Sequence, residues 1–169
     1  MCGGAENAKI NTMKYVVALG ANLGDRQATL TNAVSAIAEQ IGSVLAQSRL
    51  IETEPLIHPD DSQPTQPSYL NGALLVKSSL SPAVVLEKLL AIEQSLGRVR
   101  SLSAQRWQPR HIDLDLIVAD DLVLSSPTLV IPHPEMHKRR FVLEPMCEVW
   151  RDWRHPLLGK STAELLDGL

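Results

Sequence analysis

The sequence predicts an α+β fold with a strand–helix–strand–strand–helix–strand core, extended at its C-terminal end by a short strand and two helices. Two segments with helical apolar spacing, four strand-like runs between them, and the order in which they alternate carry that expectation. Lys14–Leu19 (KYVVAL) reads as a short apolar strand stopped by Gly20, and Gly20 to Asp25 as the loop that follows. Leu30, Ala33, Val34, Ile37 and Ile41 then recur at the i, i+3, i+4, i+7 spacing of a helix laid on a core, with Gly42 as its stop. Ser43–Thr53 reads as the second strand. Glu54–Ser68 turns polar and holds Pro55, Pro59, Pro64 and Pro67, which makes it a long loop of the kind that often carries function.

Tyr69–Lys77 (YLNGALLVK) is the third strand. Ser81 stands at the N-cap of the second helix, with Pro82 in its first turn and Gly97 at its end, the usual asymmetry of helix termini. Arg98–Gln108 lacks an apolar period and reads as a loop. Ile112, Leu114, Leu116 and Val118 alternate with Asp113, Asp115 and Ile117, the period-2 pattern of a fourth strand. This order is that of the ferredoxin-like split βαβ arrangement. In the remaining Asp120–Leu169, a short strand near Leu122–Leu124 and two helices are expected, the last opened by the capping box Ser161-Thr162-Ala163-Glu164. A single domain over residues 14–169 follows a leader, residues 1–13, expected to be disordered, with Met13 available as an alternative start.

The 169 residues are 44% hydrophobic and 21% charged, the balance of an ordinary soluble domain. A net charge of −3 argues against a general nucleic-acid binder, which carries an excess of Lys and Arg. Cys2 and Cys147 alone make neither a disulfide framework nor a zinc spacing, so a reducing cytoplasm is the expected compartment. No apolar run approaches the ~18 residues of a membrane span, and no strongly apolar surface stripe asks for a dimer, so a monomer is expected.

The chemistry concentrates around the fourth strand. Asp113 and Asp115, two apart on a strand, project from one face while Ile112, Leu114 and Leu116 hold the other in the core. Two carboxylates so close repel unless a cation neutralises them, and hard oxygen donors suit Mg²⁺ held jointly with substrate phosphates. A solvated strand face is the bland alternative. Just upstream, Arg98, Arg100, Arg106 and Arg110 fall within thirteen residues that contain no acid. Guanidinium groups suit bidentate phosphate contacts, although such a run can also be a solvated loop. Trp107 among them is an indole that a plain polar loop has little reason to carry. Downstream, Pro132-His133-Pro134-Glu135-Met136-His137-Lys138-Arg139-Arg140-Phe141 gathers basic side chains between apolar anchors, a second candidate set of phosphate contacts. The Asn71 amide is suited to reading a heterocycle edge or to satisfying its own strand. Gly20-x-Asn22-Leu23-Gly24 precedes a helix N-terminus, but without dinucleotide or P-loop spacing.

Taken together, these segments resemble the 6-hydroxymethyl-7,8-dihydropterin pyrophosphokinase family. The specific match is Arg106-Trp107-Gln108-Pro109-Arg110-His111-Ile112-Asp113-Leu114-Asp115-Leu116-Ile117. Gly20-x-Asn22-Leu23-Gly24, Tyr69-Leu70-Asn71, Gly97-Arg98-Val99-Arg100 and Ile131-Pro132-His133-Pro134 through Arg139 and Phe141 support it in the family's order, over roughly Lys14 to Leu158. The resemblance implies a ferredoxin-like fold, two Mg²⁺ ions, ATP as donor, AMP as leaving group and 6-hydroxymethyl-7,8-dihydropterin as acceptor in folate biosynthesis. By matching position it implies that Asp113 and Asp115 hold both metals and that Arg98, Arg100 and Trp107 belong to a mobile catalytic loop. It further implies that Arg110, His133 and Arg139 touch the nucleotide phosphates and that Glu93 lies on the nucleotide side. Thr53, Pro55, Asn71 and Phe141 would form the pterin pocket, with Phe141 stacking on the ring. Gln108, where a small residue is expected, and Pro134, where some members place an aromatic, depart from the pattern. A fused dihydropteroate synthase or aldolase is not expected. Two other readings compete: another metal-dependent transferase built on D-x-D, and a non-catalytic ferredoxin-like sensor that binds nucleotide without turnover.

Overall fold

In the computed structural model, residues 11–55, 67–97 and 111–169 are described. The first strand, β1 (Met13–Ala21), begins at Met13 and runs through Gly20 instead of stopping there. Its alternate residues face opposite ways. Tyr15, Val17, Leu19 and Ala21 enter one core with Leu30, Ala33 and Ile37 of α1 (Arg26–Gln40) and Val85, Leu89 and Ile92 of α2 (Pro82–Ser95). Val16 enters a second core on the other face, with Val142, Leu143 and Met146 of α3 (Arg140–Trp150) and Leu165 of α4 (Thr162–Asp167). Both faces of the sheet are therefore covered, which is why β1 reads as an unbroken apolar run.

The sheet is completed by β2 (Ser43–Gln47), β3 (Ile51–Thr53), β4 (Tyr69–Ser78) and β5 (Asp113–Ala119). The order is β2-β4-β1-β5 with β3 also on β4, and every pair is antiparallel. This is the split βαβ arrangement that the element order implies. Beyond it, β6 (Leu124–Ser125) pairs with β7 (Val130–Ile131), a partner that the sequence reading did not foresee.

Several expectations are corrected. The single strand expected over Ser43–Thr53 is two strands, because Ser48 interrupts it. The Ser48 hydroxyl accepts the Ala73 N–H at 2.9 Å and donates to the Arg49 carbonyl at 2.7 Å, so a side chain replaces a backbone partner in the ladder. Val118 does not continue the Leu114–Leu116 face. A bulge opposite Val16 and Val17 leaves Ile117 unpaired, and Ile117 and Val118 both join the α3-side core. Ser81 occupies the N-cap of α2 without a side-chain capping bond, whereas Asp25 caps α1 through the Ala28 N–H. The capping box of Ser161 and Glu164 is complete. Gly97, at φ 94°, has the left-handed conformation that ends a helix.

Gly42 has no such conformation, and the need for glycine there is one of space. A Cβ on Gly42 would lie 2.2 Å from the Lys77 carbonyl oxygen of β4, beside Ser78, whose hydroxyl donates to the Ile41 carbonyl at 2.6 Å. The turn from α1 into β2 passes directly against the central sheet at this point. Gly42→Ala is therefore expected to destabilise the protein by about 2 kcal/mol or more, read as a fall in Tm of about 5 °C or more. An unchanged Tm would show that the close approach is not needed.

Candidate active site

The cleft is built on a cross-strand row. Asn71 of β4 and Asp113 of β5 both lie opposite Gly20 of β1, and Ala73 and Asp115 lie opposite Ala18 in the next row on the same face. Paired residues in an antiparallel sheet share a face and would normally touch. Here the middle strand contributes only a hydrogen and a methyl group, so a trench is left between Asn71 and the two carboxylates. A Cβ on Gly20 would stand 3.2 Å from the Asn71 side-chain oxygen and 3.8 Å from the Asp113 Cβ. Glycine here keeps the trench floor clear within a strand that continues through it.

One wall comes from Thr53, Glu54, Pro55 and Tyr69, the other from Asp113 and Asp115, while Arg139, Phe141 and Val142 at the start of α3 close over the floor. The cavity volume is about 120 Å³. The Asn71 amide donates to the Thr53 hydroxyl at 2.6 Å, which fixes the orientation of that amide in the trench. The Arg139 guanidinium lies 5.9 Å from the centre of the Phe141 ring, within cation–π range.

Thr53, Pro55, Asn71, Asp113, Asp115, Arg139 and Phe141, all named from the sequence, are thus brought to one cleft. Glu93 is placed differently. It is 1% exposed on α2, and its carboxylate accepts the Leu114 N–H at 2.7 Å, holding the outer edge of β5 between the two aspartates. His133 follows β7, where its N–H donates to the Ile117 carbonyl at 2.8 Å and its Nδ1 accepts the Glu135 N–H at 3.2 Å. The imidazole proton in the neutral form then belongs on Nε2, a donor suited to an anion. Arg98, Arg100, Arg106, Trp107, Gln108 and Arg110 lie outside the described residues. Ala18, Glu54 and Val142 line the cleft without having been singled out from the sequence, and Gly20 and Tyr69 were quoted only as parts of the family-like motifs; strand register and the start of α3 bring them here.

Among the described residues no group of three His, Cys, Asp or Glu side chains could enclose an ion. Two carboxylates on one open face nevertheless suit Mg²⁺, which keeps waters and takes its remaining ligands from phosphate. The residues present fit that ion.

Residues 16–151 match the family model described as 7,8-dihydro-6-hydroxymethylpterin-pyrophosphokinase (HPPK). The chain belongs to the HPPK family. A 2-amino-4-hydroxy-6-hydroxymethyldihydropteridine pyrophosphokinase of Synechocystis sp. is 43% identical over 155 residues, covering 90% of this chain and 74% of the relative. One of Bacillus subtilis is 37% identical over 141 residues, covering 83% and 79%. A crystal structure of Plasmodium falciparum HPPK-DHPS superposes with TM-score 0.72 at 14% identity, over 94% of this chain and 45% of that one. The HPPK chain described here thus spans less than half the length of that structure, and the likeness there concerns the fold. Mg²⁺ is generally expected of ATP-dependent kinases such as this family.

Burial, and then the Arg139 guanidinium, push the His133 imidazole below its ordinary value of 6.5, against smaller opposing pulls that include Glu135 and Asp113. A depressed imidazole favours the folded state above the unfolded value of about 6.5 and loses that contribution as pH falls through the folded value. Titrated by NMR in the ligand-free protein, His133 is expected to protonate below pH 6.5, and Arg139→Ala to bring it back toward 6.5. A midpoint at or above 6.5, or one indifferent to Arg139, would contradict this electrostatic account.

Proposed function

We propose that this chain transfers the pyrophosphoryl group of ATP to the hydroxymethyl oxygen of 6-hydroxymethyl-7,8-dihydropterin and releases AMP, a step of folate biosynthesis. The observation that carries the reading is the row Asn71–Gly20–Asp113, in which an amide suited to a heterocycle edge faces a carboxylate across an empty position. Membership of the HPPK family supports the same substrates. The pterin would lie in the trench with Asn71 on its edge, Phe141 stacked on its ring and Thr53 and Pro55 beside it. The triphosphate would lie over Asp113 and Asp115, with Arg110, His133 and Arg139 on its oxygens and Glu93 holding the strand beneath. Arg98, Arg100 and Trp107 would complete the site from the segment between α2 and β5.

Two Mg²⁺ ions bound by Asp113 and Asp115 would neutralise the triphosphate and acidify the attacking hydroxyl. The side chains then have to position and stabilise charge, and no protein nucleophile is required. The pterin oxygen forms its bond to the β-phosphorus as the bond from that phosphorus to the α,β-bridging oxygen breaks. AMP departs with that oxygen, and the hydroxyl proton passes to solvent. Arg139 would balance negative charge growing on the transferred group. The reading extends to a cytoplasmic monomer. Among the described residues no helix is long and apolar enough to cross a membrane.

Asp113→Asn and Asp115→Asn each remove a negative charge facing the cations. Losing about 3 kcal/mol of transition-state stabilisation means a rate loss of more than about a hundredfold. AMP formation at saturating Mg²⁺ should fall at least that far in either variant. Retention of more than about a third of the wild-type rate would remove the carboxylates from the mechanism.

A further inference from the structure

We propose that Arg26 is a positioning residue that ties two limbs, the chain leaving β3 (52–55) and the chain entering β4 (67–69), to α1 and thereby sets the pterin-side wall of the cleft; this rests on the function proposed above. Thr53 ends β3 and Tyr69 begins β4, and the two are paired with each other; residues 56–66 between them lie outside the described residues. Thr53, Glu54, Pro55 and Tyr69 line the cleft, so its width on that side depends on how the two limbs are held together. The ladder between β3 and β4 has only three residue pairs, Ile51↔Asn71, Glu52↔Leu70 and Thr53↔Tyr69. So short an edge is a weak hold by itself.

Arg26 supplies the rest. One of its terminal nitrogens donates to the Glu52 carboxylate at 2.9 Å on the outgoing limb. The same nitrogen donates to the Ser68 carbonyl at 2.7 Å and the Ser68 hydroxyl at 3.2 Å on the returning limb. The Ser68 hydroxyl donates in turn to the same Glu52 oxygen, which joins the limbs to each other. Next to this node the Asn22 amide, 1% exposed, donates to the Pro67 carbonyl at 3.4 Å. All these anchors sit in or just before the first turn of α1, which the Asp25 cap and the buried Leu30, Ala33 and Ile37 fix to the sheet.

Strand alternation explains why this node shapes the cleft without entering it. Glu52 projects from the face opposite to Thr53, so the pull on Glu52 comes from behind the wall and leaves the Thr53 hydroxyl on the Asn71 amide. Arg26 does not line the cleft. The Arg26 side chain is only 29% exposed, which protects it from full solvent screening, and charge-assisted bonds from one guanidinium to two limbs add geometric constraint to their strength. The Glu52 carboxyl is held below its usual range by the Ser68 hydroxyl and then by Arg26, as expected for a carboxylate caught in this node.

The test is steady-state kinetics of the full chain at saturating ATP and Mg²⁺ with 6-hydroxymethyl-7,8-dihydropterin varied. Arg26→Met should raise the pterin KM about tenfold while kcat and the ATP KM stay within about twofold. Arg26→Lys, which keeps a charged donor on a shorter side chain, should fall between the two. Ser68→Ala removes only one hydroxyl from the node and should raise the pterin KM about threefold; it decides the matter if Arg26→Met does not fold. A pterin KM within about twofold of wild type in Arg26→Met, or in Ser68→Ala where the first variant is unfolded, overturns this inference alone. So does a loss confined to kcat or to the ATP KM. A wild-type chain that consumes no pterin overturns the proposed function and this inference with it.

Discussion

Asn71, Gly20 and Asp113 lie side by side across three strands, and the middle one has no side chain. Everything chemical in the cleft depends on that gap and on the register that creates it. Moving β5 by one residue would turn Asp113 and Asp115 toward α1 and α2 and bring Leu114 and Leu116 into the trench, because side chains alternate with period 2. Two carboxylates forced into an apolar core would be far costlier than any gain in packing. The same alternation that builds the hydrophobic core therefore aims the acids.

Two features defend the register. On the inner side β5 is paired with β1 on both sides of the bulge at Ile117, where Ile117 and Val118 both turn to the α3-side core. On the outer side, Glu93 takes the Leu114 N–H. A carboxylate buried this deeply is tolerated only with hydrogen-bond partners, so α2 and β5 are fastened to each other between the two aspartates. Across the trench, Arg26 and Asn22 act comparably on the opposite wall. The cleft thus takes each side from a helix that packs on the far face of the sheet, while α3 covers it with its N-terminal end. That end of a helix favours negative charge, and Arg139 and Phe141 are carried there.

Much of this was legible in the sequence, and the parts that were not share a cause. The apolar spacing from Leu30 to Ile41 and the alternation from Ile112 to Leu116 identified α1 and β5, since both depend only on local periodicity. Gly20 reads locally as a strand end, because a glycine that stops a strand and a glycine that clears space beside a neighbour look the same in the sequence. Gly42 does follow the end of α1, but the need for glycine there is set by Lys77, far away in sequence. Ser48 broke a strand through a bond to Ala73 that no local pattern announces. At the site, the D-x-D spacing pointed to Asp113 and Asp115. Thr53, Pro55 and Phe141 came only with the family resemblance, because nothing in their own segments brings them together. Ala18, Glu54, Tyr69 and Val142 needed the strand register and the seat of α3. Arg98, Arg100 and Arg110 lie outside the described residues.

The central claim is that one cleft joins a pterin subsite to a metal–triphosphate subsite, so the transferred group is the outer diphosphate of ATP. The most direct measurement is chromatography of the nucleotide products after incubation with ATP and Mg²⁺, with and without 6-hydroxymethyl-7,8-dihydropterin. The account predicts AMP in step with pterin consumption, and neither AMP nor ADP when the pterin or the metal is left out. ADP as the main product, or AMP formed equally well without the pterin, would contradict it.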